Sequence, residues 1–564
     1  MLRKILEVLG NKDHGARRKA SNMMIKKLLI KNYKSIEEVV IEMQSDVNIF
    51  VGENDSGKST ILEAISIVST GNLNGRSFEK QIKANLFNQK TREKYIASLK
   101  CKKQVQSPPV IIIEAYLDIE DAAFIGTNNE LRENCAGIRM ELAFDSEYSD
   151  AYKQMLKDGE IYDIPIEFYT VSYHYFKGTP VVYRYAPVKG TFIDTTKKDY
   201  SYVMDKFVTS NIATYLTTKE QTDLSTAYRK SRHAFQENAV VKQLNRSMKK
   251  NVKVNERSVA VDLREDNIDE WKHQMSIIVE SIPFENIGFG TQNSIKIELA
   301  IKNSKEQVNL IMMEEPENNL SYTNMTRLID HILQSEGKQI FISTHSSYIA
   351  NKLNLGNIFL LYNGKIKSMS ELPDETKRYF TKLPGYDTLR AVLAEKVILV
   401  EGPTDELIIQ RAYMDEYGKL PIEDGIDVIV VDSLAFKRYC DIAVLLKKKM
   451  VIVTDNDGNI QKNINEKYSE YLDNTNLIFI YEENEMLNTI EPSVLEVNCK
   501  NDKSTELFKN VISKNGSMKN KSKQEVLSFM TKNKAEWALR VLESEEKIHY
   551  PEYIIDAIKK YNQS

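Results

Sequence analysis

Cysteine is scarce: the 564 residues hold four, Cys101, Cys135, Cys440 and Cys499, with no CxxC spacing among them. That argues against a disulfide scaffold or a zinc finger and fits a reducing, cytoplasmic setting. Proline (13) and glycine (22) are too few for a collagen-like or low-complexity chain. No apolar run nears the roughly 18 residues that span a bilayer, and the opening MLRKILEVLG is too short an apolar stretch for a signal peptide. An excess of one charge is missing as well, since 77 Lys and Arg face 80 Asp and Glu for a net charge of −3. A chain-wide basic footprint for nucleic acid is therefore excluded, and any polyanion site must be local. What is present is a globular composition, 42% hydrophobic and 28% charged, in a chain long enough for roughly two to four domains.

Residues 1–23 are a polar, basic leader. From Met24, β-rich stretches flank Asn32-Tyr33-Lys34, Asp46–Val51 reads as a buried strand, and Val110–Leu117 and the aromatic-rich Ile164–Tyr185 suggest more β structure. Residues 201–280 are polar, lack Gly, and read as a helical insertion. Strands return at Val308–Met313 and Gln339–Ser343, and the alternation of strand and helix predicts a mostly parallel sheet. Pro373 and Pro384-Gly385 mark a connector. Beyond it Lys396–Val400, Ile426–Val431, Met450–Thr454 and Leu477–Tyr481 describe a second, smaller α/β domain. The lysine-rich piece 514–524 reads as a solvated loop.

Gly52-Glu53-Asn54-Asp55-Ser56-Gly57-Lys58-Ser59 matches G-x-x-x-x-G-K-[ST] between a predicted strand and a helical run from Thr60. In such a loop backbone N–H groups of Asn54, Ser56 and Gly57 face phosphate, Lys58 reaches the outer phosphates and Ser59 can ligate Mg²⁺. A carboxylate on a neighbouring strand must complete the metal site, and Leu310-Ile311-Met312-Met313-Glu314-Glu315 supplies it: Glu314 by the metal, Glu315 where it can polarise water. His345, after the strand Phe341–Thr344, is placed for the γ-phosphate. The order Ile30-Lys31-Asn32-Tyr33-Lys34-Ser35, phosphate loop, acidic strand and histidine resembles the ABC-type ATPases of the SMC and RecF kind. The resemblance implies ATP with Mg²⁺ and a second copy of the chain closing on the nucleotide. It makes Asn286-Ile287-Gly288-Phe289-Gly290-Thr291-Gln292-Asn293 a degenerate signature, without the standard Leu-Ser-Gly-Gly-Gln, and Asn318-Asn319-Leu320 the D-loop. Gln89 is either the Q-loop glutamine or a surface residue.

Further on, Val397–Val400 runs into Glu401-Gly402-Pro403-Thr404-Asp405, with Asp405 in the first turn of a helix, where the dipole favours a carboxylate. Val451–Thr454 ends in Asp455-Asn456-Asp457, whose aspartates at i and i+2 project to one side of an extended chain. Four converging carboxylates call for hard divalent cations, Mg²⁺ or Mn²⁺. This pairing resembles a Toprim domain. An ABC-type ATPase followed by Toprim is similar to the OLD (overcoming lysogenization defect) family nucleases, over nearly all of residues 24–564. The resemblance implies that Glu401, Asp405, Asp455, Asp457 and Glu491 ligate metal and that Lys534 faces the scissile phosphate, although a solvated lysine fits that position as well. Family members usually carry glycine after the second Toprim strand, where Val431–Phe436 has none. Lys437 and Arg438 are nearby phosphate candidates, and Thr454 a neighbour that orients ligands.

The expectation is an ABC/SMC-like P-loop ATPase head (24–200 and 281–390) with a helical dimerisation insertion (201–280), then a Rossmann-like Toprim nuclease domain (391–564). ATP would regulate two-metal phosphodiester hydrolysis of DNA, nicking or cutting it, with RNA left open. The resemblance further implies an anti-phage effector role, with a second protein or nucleic-acid component as a further partner. The alternative is an SMC- or RecF-like DNA-binding ATPase whose Toprim-like module is not catalytic. A topoisomerase or primase is weaker, for want of a strand-passage tyrosine domain or a zinc motif.

Overall fold

The computed structural model describes residues 23–100, 105–195, 216–251, 253–254, 257–263, 271, 277–302, 309–335, 337–362, 365–382, 388–431, 435–513 and 516–562. Residues 1–22 of the leader, Cys101, Pro384-Gly385 and residues 432–434 lie outside them. Contacts divide the chain into two units, Met1–His345 with Phe359–Ile366, and Ser346–Ile358 with Lys367–Ser564. Residues 346–358 and 367–390 thus group with the second unit, where the sequence reading put the junction at 390.

In the first unit, β1 (Ile25–Tyr33) turns through Lys34 and Ser35 into β2 (Ile36–Glu42), pairing Tyr33 with Ile36. A two-residue connection can only join antiparallel strands; Lys34 supplies the left-handed φ of 47°. The fully buried β3 (Val47–Gly52) leads through the phosphate loop into α1 (Lys58–Thr70), and α2 (Gln89–Lys100) follows. β4 (Ile111–Leu117), β5 (Cys135–Phe144) and β6 (Tyr169–Tyr175) complete an antiparallel sheet of order β2-β1-β4-β5, with residues 125–126 and β6 also pairing with β5.

β7 (Gly190–Asp194) starts the second sheet. Then come α3 (Thr218–Glu237), with the capping box Thr217/Glu220, and α4 (Ala239–Asn251). No residue of α3 is buried, as its polar text foretells. The helical expectation fails at 253–254, which pair antiparallel with 257–258, and at 278–279, which pair antiparallel with 282–283. α5 (Phe289–Lys302), β8 (Leu310–Glu314), β9 (Gln339–Thr344), β10 (Ile358–Tyr362) and β11 (Lys365–Ser368) follow. The sheet runs β7-β8-β9-β3-β10-β11, parallel from β7 to β3. The expected parallel sheet is therefore only half of this unit; hydrophobic period two shows that a segment is a strand but not which way its neighbour runs. One core, including Ile30, Phe50, Leu62, Ile113, Leu310 and Phe341, joins both sheets to α1.

The second unit is built on β12 (Lys396–Val400), α6 (Pro403–Tyr417), β13 (Ile426–Val430), β14 (Met450–Val453) and β15 (Leu477–Ile480), in the all-parallel order β13-β12-β14-β15. α7 (Ile490–Asn498) and α8 (Lys534–Glu543) are among the helices that cover it. Its separate core includes Ile398, Val451, Val494 and Trp537, and Arg411, itself buried, donates to the carbonyls of Val541 and Leu542 at 3.0 Å and so ties down the end of α8. Trp537→Ala should cost this unit about 3–5 kcal/mol in chemical denaturation, as for other fully buried aromatics. Among the described residues Cys135, Cys440 and Cys499 are free thiols, and no helix is long and apolar enough to cross a membrane.

Candidate functional site

The phosphate loop lies between the buried end of β3 and the first turn of α1. Gly57 holds φ 103°, and a Cβ there would sit 2.8 Å from Ser35 Oγ, so both conformation and space require glycine. Lys58 is buried, its Nζ donating to the carbonyls of Gly52 (2.9 Å) and Glu53 (2.7 Å). Burial lowers its pKa, against the field of Glu315, Glu314, Asp55 and Glu317. Ser59 Oγ hydrogen-bonds Glu314 Oε1, which brings together the two groups expected to hold Mg²⁺. Asn54 is exposed, Ser56 Oγ is buried with no hydrogen-bond partner, and Thr60 Oγ1 lies 3.2 Å from Ser35 Oγ. Tyr33 and Lys34 both hold Glu63 of α1, so the Asn32-Tyr33-Lys34-Ser35 turn braces the helix behind the loop.

At the ends of β8 and β9 the acidic residues separate in role. Glu315 takes a left-handed φ of 44°, a strain of about 1–3 kcal/mol that such sites retain only when their surroundings enforce it. Its N–H donates to Ser343 O (2.9 Å), its Oε2 accepts from Asn318 Nδ2 (2.9 Å), and its Oε1 is 3.4 Å from His345 Nε2. Glu317, which the sequence reading passed over, accepts from Thr344 Oγ1 (2.5 Å) and from the N–H of His345 (3.0 Å), and so fixes the strand end that carries the histidine. Its one advance signal is its place two residues beyond the acidic pair. The candidate signature meets the candidate D-loop: Asn293 Nδ2 donates to Asn318 O (3.2 Å), and a Cβ on Gly290 would lie 2.2 Å from Asn319 O. Gln89 opens α2 and donates to Glu93 Oε1 at 2.8 Å, an exposed i,i+4 pair. Gln89 stands at the surface, as the plainer of its two sequence readings has it.

In the second unit, parallel β12 and β14 are neighbours, which puts Glu401 and Asp455 just past adjacent strand ends. Thr454 Oγ1 and the Asp455 N–H (3.1 Å) both donate to Glu401 Oε1. Asp405, nearly buried in the first turn of α6 behind Pro403, accepts the Gly402 N–H at 3.1 Å. Asn456 is buried and donates to the carbonyls of Glu482 (2.7 Å) and Asn484 (3.2 Å), fixing the loop on which Asp457 stands exposed with φ 49°. Glu491 is 1% exposed in the first turn of α7; its Oε2 accepts from Thr489 Oγ1 (2.7 Å), while Oε1 has no hydrogen bond and lies 3.9 Å from Lys534 Nζ, at the start of α8. Lys437 and Arg438, offered as phosphate contacts, are in ion pairs with Glu470 and Glu375.

The electrostatics show these carboxylates to be mutual neighbours. Burial pushes Asp455 up to about 9, with Asp405, Glu401, Glu491 and Asp457 adding to it. Burial, then Glu401 and Glu491, pushes Asp405 up to about 7, and burial also raises Glu401. Among the described residues no three His, Cys, Asp or Glu side chains are grouped so that they could hold a metal ion as they stand. The donor set nonetheless fits hard divalent cations: oxygen only, several carboxylates in one field, and an orphaned buried oxygen on Glu491.

The fold and these two sites define an ATPase with a TOPRIM domain at its C-terminal side, and comparison with known proteins agrees. An AAA ATPase domain model matches residues 23–278 and 183–350, more than half the chain, and a model described as overcoming lysogenization defect protein-like, TOPRIM domain matches 392–457. By the first model the chain belongs to the AAA ATPase domain family, and it carries a C-terminal TOPRIM domain of the overcoming lysogenization defect (OLD) type; the first domain implies ATP and the second a divalent metal. It is similar to the DNA replication and repair protein RecF of Staphylococcus haemolyticus (strain JCSC1435), 38% identical over 60 residues, 11% of this chain and 16% of that protein. RecF of Clostridium botulinum (strain Eklund 17B / Type B) is 31% identical over 83 residues, 15% of this chain and 22% of that protein. The match thus spans less than a quarter of either relative. Among solved structures, an SMC head bound to the C-winged helix domain of ScpA is 16% identical with a TM-score of 0.32, over 61% of this chain and 97% of that one. A RecF–ATP structure is 12% identical with a TM-score of 0.30, over 61% and 99%.

Proposed function

We propose that the chain binds and hydrolyses ATP and is a divalent-metal-dependent DNA endonuclease, with nucleotide state in the ATPase regulating the TOPRIM site. The observation that carries the reading is the placing of Glu401 and Asp455 past adjacent strand ends, bridged by the Asp455 N–H, with Asp405 and Glu491 close enough to add to the burial that raises Asp455. With Asp457, these are the residues that would hold Mg²⁺ or Mn²⁺, which when bound activates water and neutralises charge at a phosphodiester. Lys534 stands beside Glu491 with its ammonium mostly exposed, suited to meet a phosphate. At the other site Asn54, Ser56, Gly57, Lys58, Ser59 and Thr60 would cradle ATP, Ser59 and Glu314 would hold its Mg²⁺, and Glu315 would orient the attacking water beside His345. Residues 24–200 and 281–390 form the ATPase in this reading, 201–280 the dimerisation insertion and 391–564 the nuclease. The partners are DNA and a second copy of the chain, the setting is cytoplasmic, and the role is an effector of anti-phage defence.

Supercoiled plasmid incubated with the full chain in Mg²⁺ or Mn²⁺, with and without ATP, tests this. Wild type should give nicked or linear product and Glu401→Ala none. Lys58→Ala should still cut, no longer respond to ATP, and lose at least about tenfold in ATP turnover. If wild type converts no plasmid in either metal, with or without ATP, a DNA-binding ATPase with a non-catalytic TOPRIM module takes the place of the nuclease.

A further inference from the structure

β7 stops at Asp194, level with Glu314 on β8. The next residue, Thr195, is buried, and its hydrogen bonds continue the grip on β8 beyond the end of the ladder. Its Oγ1 lies 2.8 Å from the carbonyl oxygen of Glu314 and 2.6 Å from that of Glu315, and its N–H reaches the Glu314 carbonyl at 3.4 Å. A threonine hydroxyl has one proton to give, so it serves the two carbonyls by sharing or alternation. From the opposite side, β9 accepts the Glu315 N–H on Ser343 O at 2.9 Å.

The peptide that carries Glu315 is therefore held from both neighbouring strands at the point where the chain enters its left-handed turn, φ 44°. A residue other than glycine stays in that region only while its surroundings over-determine it. The grip from Ser343 is main chain, and any residue there would supply it. The grip from Thr195 is a side-chain hydroxyl, so it depends on this residue being threonine or serine. The partners of the Glu315 head group, Asn318 at 2.9 Å and His345 at 3.4 Å, meet the carboxylate only if its Cα is in place.

We infer that Thr195 is a positioning residue for ATP hydrolysis: its hydroxyl fixes the left-handed peptide of Glu315 and thereby aims that carboxylate, without adding to nucleotide binding. The inference rests on the reading of Glu315 as the group that orients the attacking water. Thr195→Val keeps the shape and removes the hydroxyl donor from two part-buried hydrogen bonds; Thr195→Ser keeps the donor.

Steady-state ATP turnover of the full chain, with the Kd of a fluorescent ATP analogue in Mg²⁺, decides it. Thr195→Val should lose at least about 30-fold in kcat with Kd within about threefold of wild type, and Thr195→Ser should stay within about threefold in both. Placed in a Glu315→Gln background, Thr195→Val should cost less than about a further twofold, because a residue acting through Glu315 has nothing left to aim. Thr195→Ala carries the same expectations if the valine variant does not fold. The inference is overturned by a Thr195→Val that turns over like wild type, by a Thr195→Ser as poor as the valine, by a Kd that rises in step with the loss, or by full additivity with Glu315→Gln. A Glu315→Gln chain that hydrolyses ATP normally removes the reading of Glu315 and this inference with it, whereas a normal Thr195→Val beside an inactive Glu315→Gln removes the role of Thr195 alone.

Discussion

Asp455→Asn is expected to lower plasmid cleavage by at least about a thousandfold while leaving ATP turnover within about twofold of wild type. Asp455 is where the fields of Asp405, Glu401, Glu491 and Asp457 sum, and that makes it the carboxylate whose charge a bound cation would compensate most. Its N–H also donates to Glu401 Oε1, a contact the asparagine keeps. The substitution thus removes a charge and a ligand with little change of shape. The loss should appear in Mg²⁺ and Mn²⁺ alike, with linear and nicked products falling together on a gel. A variant that still cuts within tenfold of wild type would remove Asp455 from the reaction.

The second large effect is on stability. Asp405 and Asp455 have folded pKa values of about 7 and 9, above the ordinary value near 3.9. The folded state therefore holds protons that the unfolded chain has released. This stability is fully present below the ordinary value and is lost as pH climbs through 7 and towards 9. Without metal, the second unit should lose a few kcal/mol between about pH 5 and pH 8.5, which lowers its Tm by at least about 5 °C. Mg²⁺ or Mn²⁺ at millimolar concentration should restore most of that at pH 8.5 and little at pH 5, since a cation binds the carboxylates in their ionised form. Asp455→Asn should flatten both dependences in calorimetry. A melting temperature for this unit that rises with pH in the absence of metal would contradict the electrostatic description of the site.

The elements legible in the sequence are those whose chemistry is local. The run from Gly52 to Ser59 specifies its own loop, because Gly57 must be left-handed and Lys58 must open a helix. The acidic residues after β8, β12 and β14 stand out because an apolar strand ends abruptly in carboxylates. Partners set by register between distant segments were not legible. Thr195 meets Glu314 across 119 residues, and nothing around Gly190–Asp194 marks it in advance. Glu317 finds Thr344 and His345 across 27 and 28 residues, and looks like one more solvated glutamate until β8 and β9 are aligned. At Gln89 the residue type alone carries no signal, and α2 turns it to solvent. The antiparallel half of the first unit reads as strands but not as a ladder; the direction of its first pair follows from the two-residue turn at Lys34 and Ser35.

The return of β10 and β11 to the parallel sheet limits how this polypeptide can be divided. After His345 the backbone spends thirteen residues with the second unit, comes back for Phe359–Ile366, and leaves again. A gene fragment stopped at residue 350, where the AAA match ends, would encode an incomplete sheet: Phe50 would lose the stacked ring of Phe359, and β3 would become a bare edge open to pairing with another molecule. The two halves are interlaced in the reading frame, so a recombination event that swaps one TOPRIM segment for another must either carry these strands with it or enter beyond residue 368.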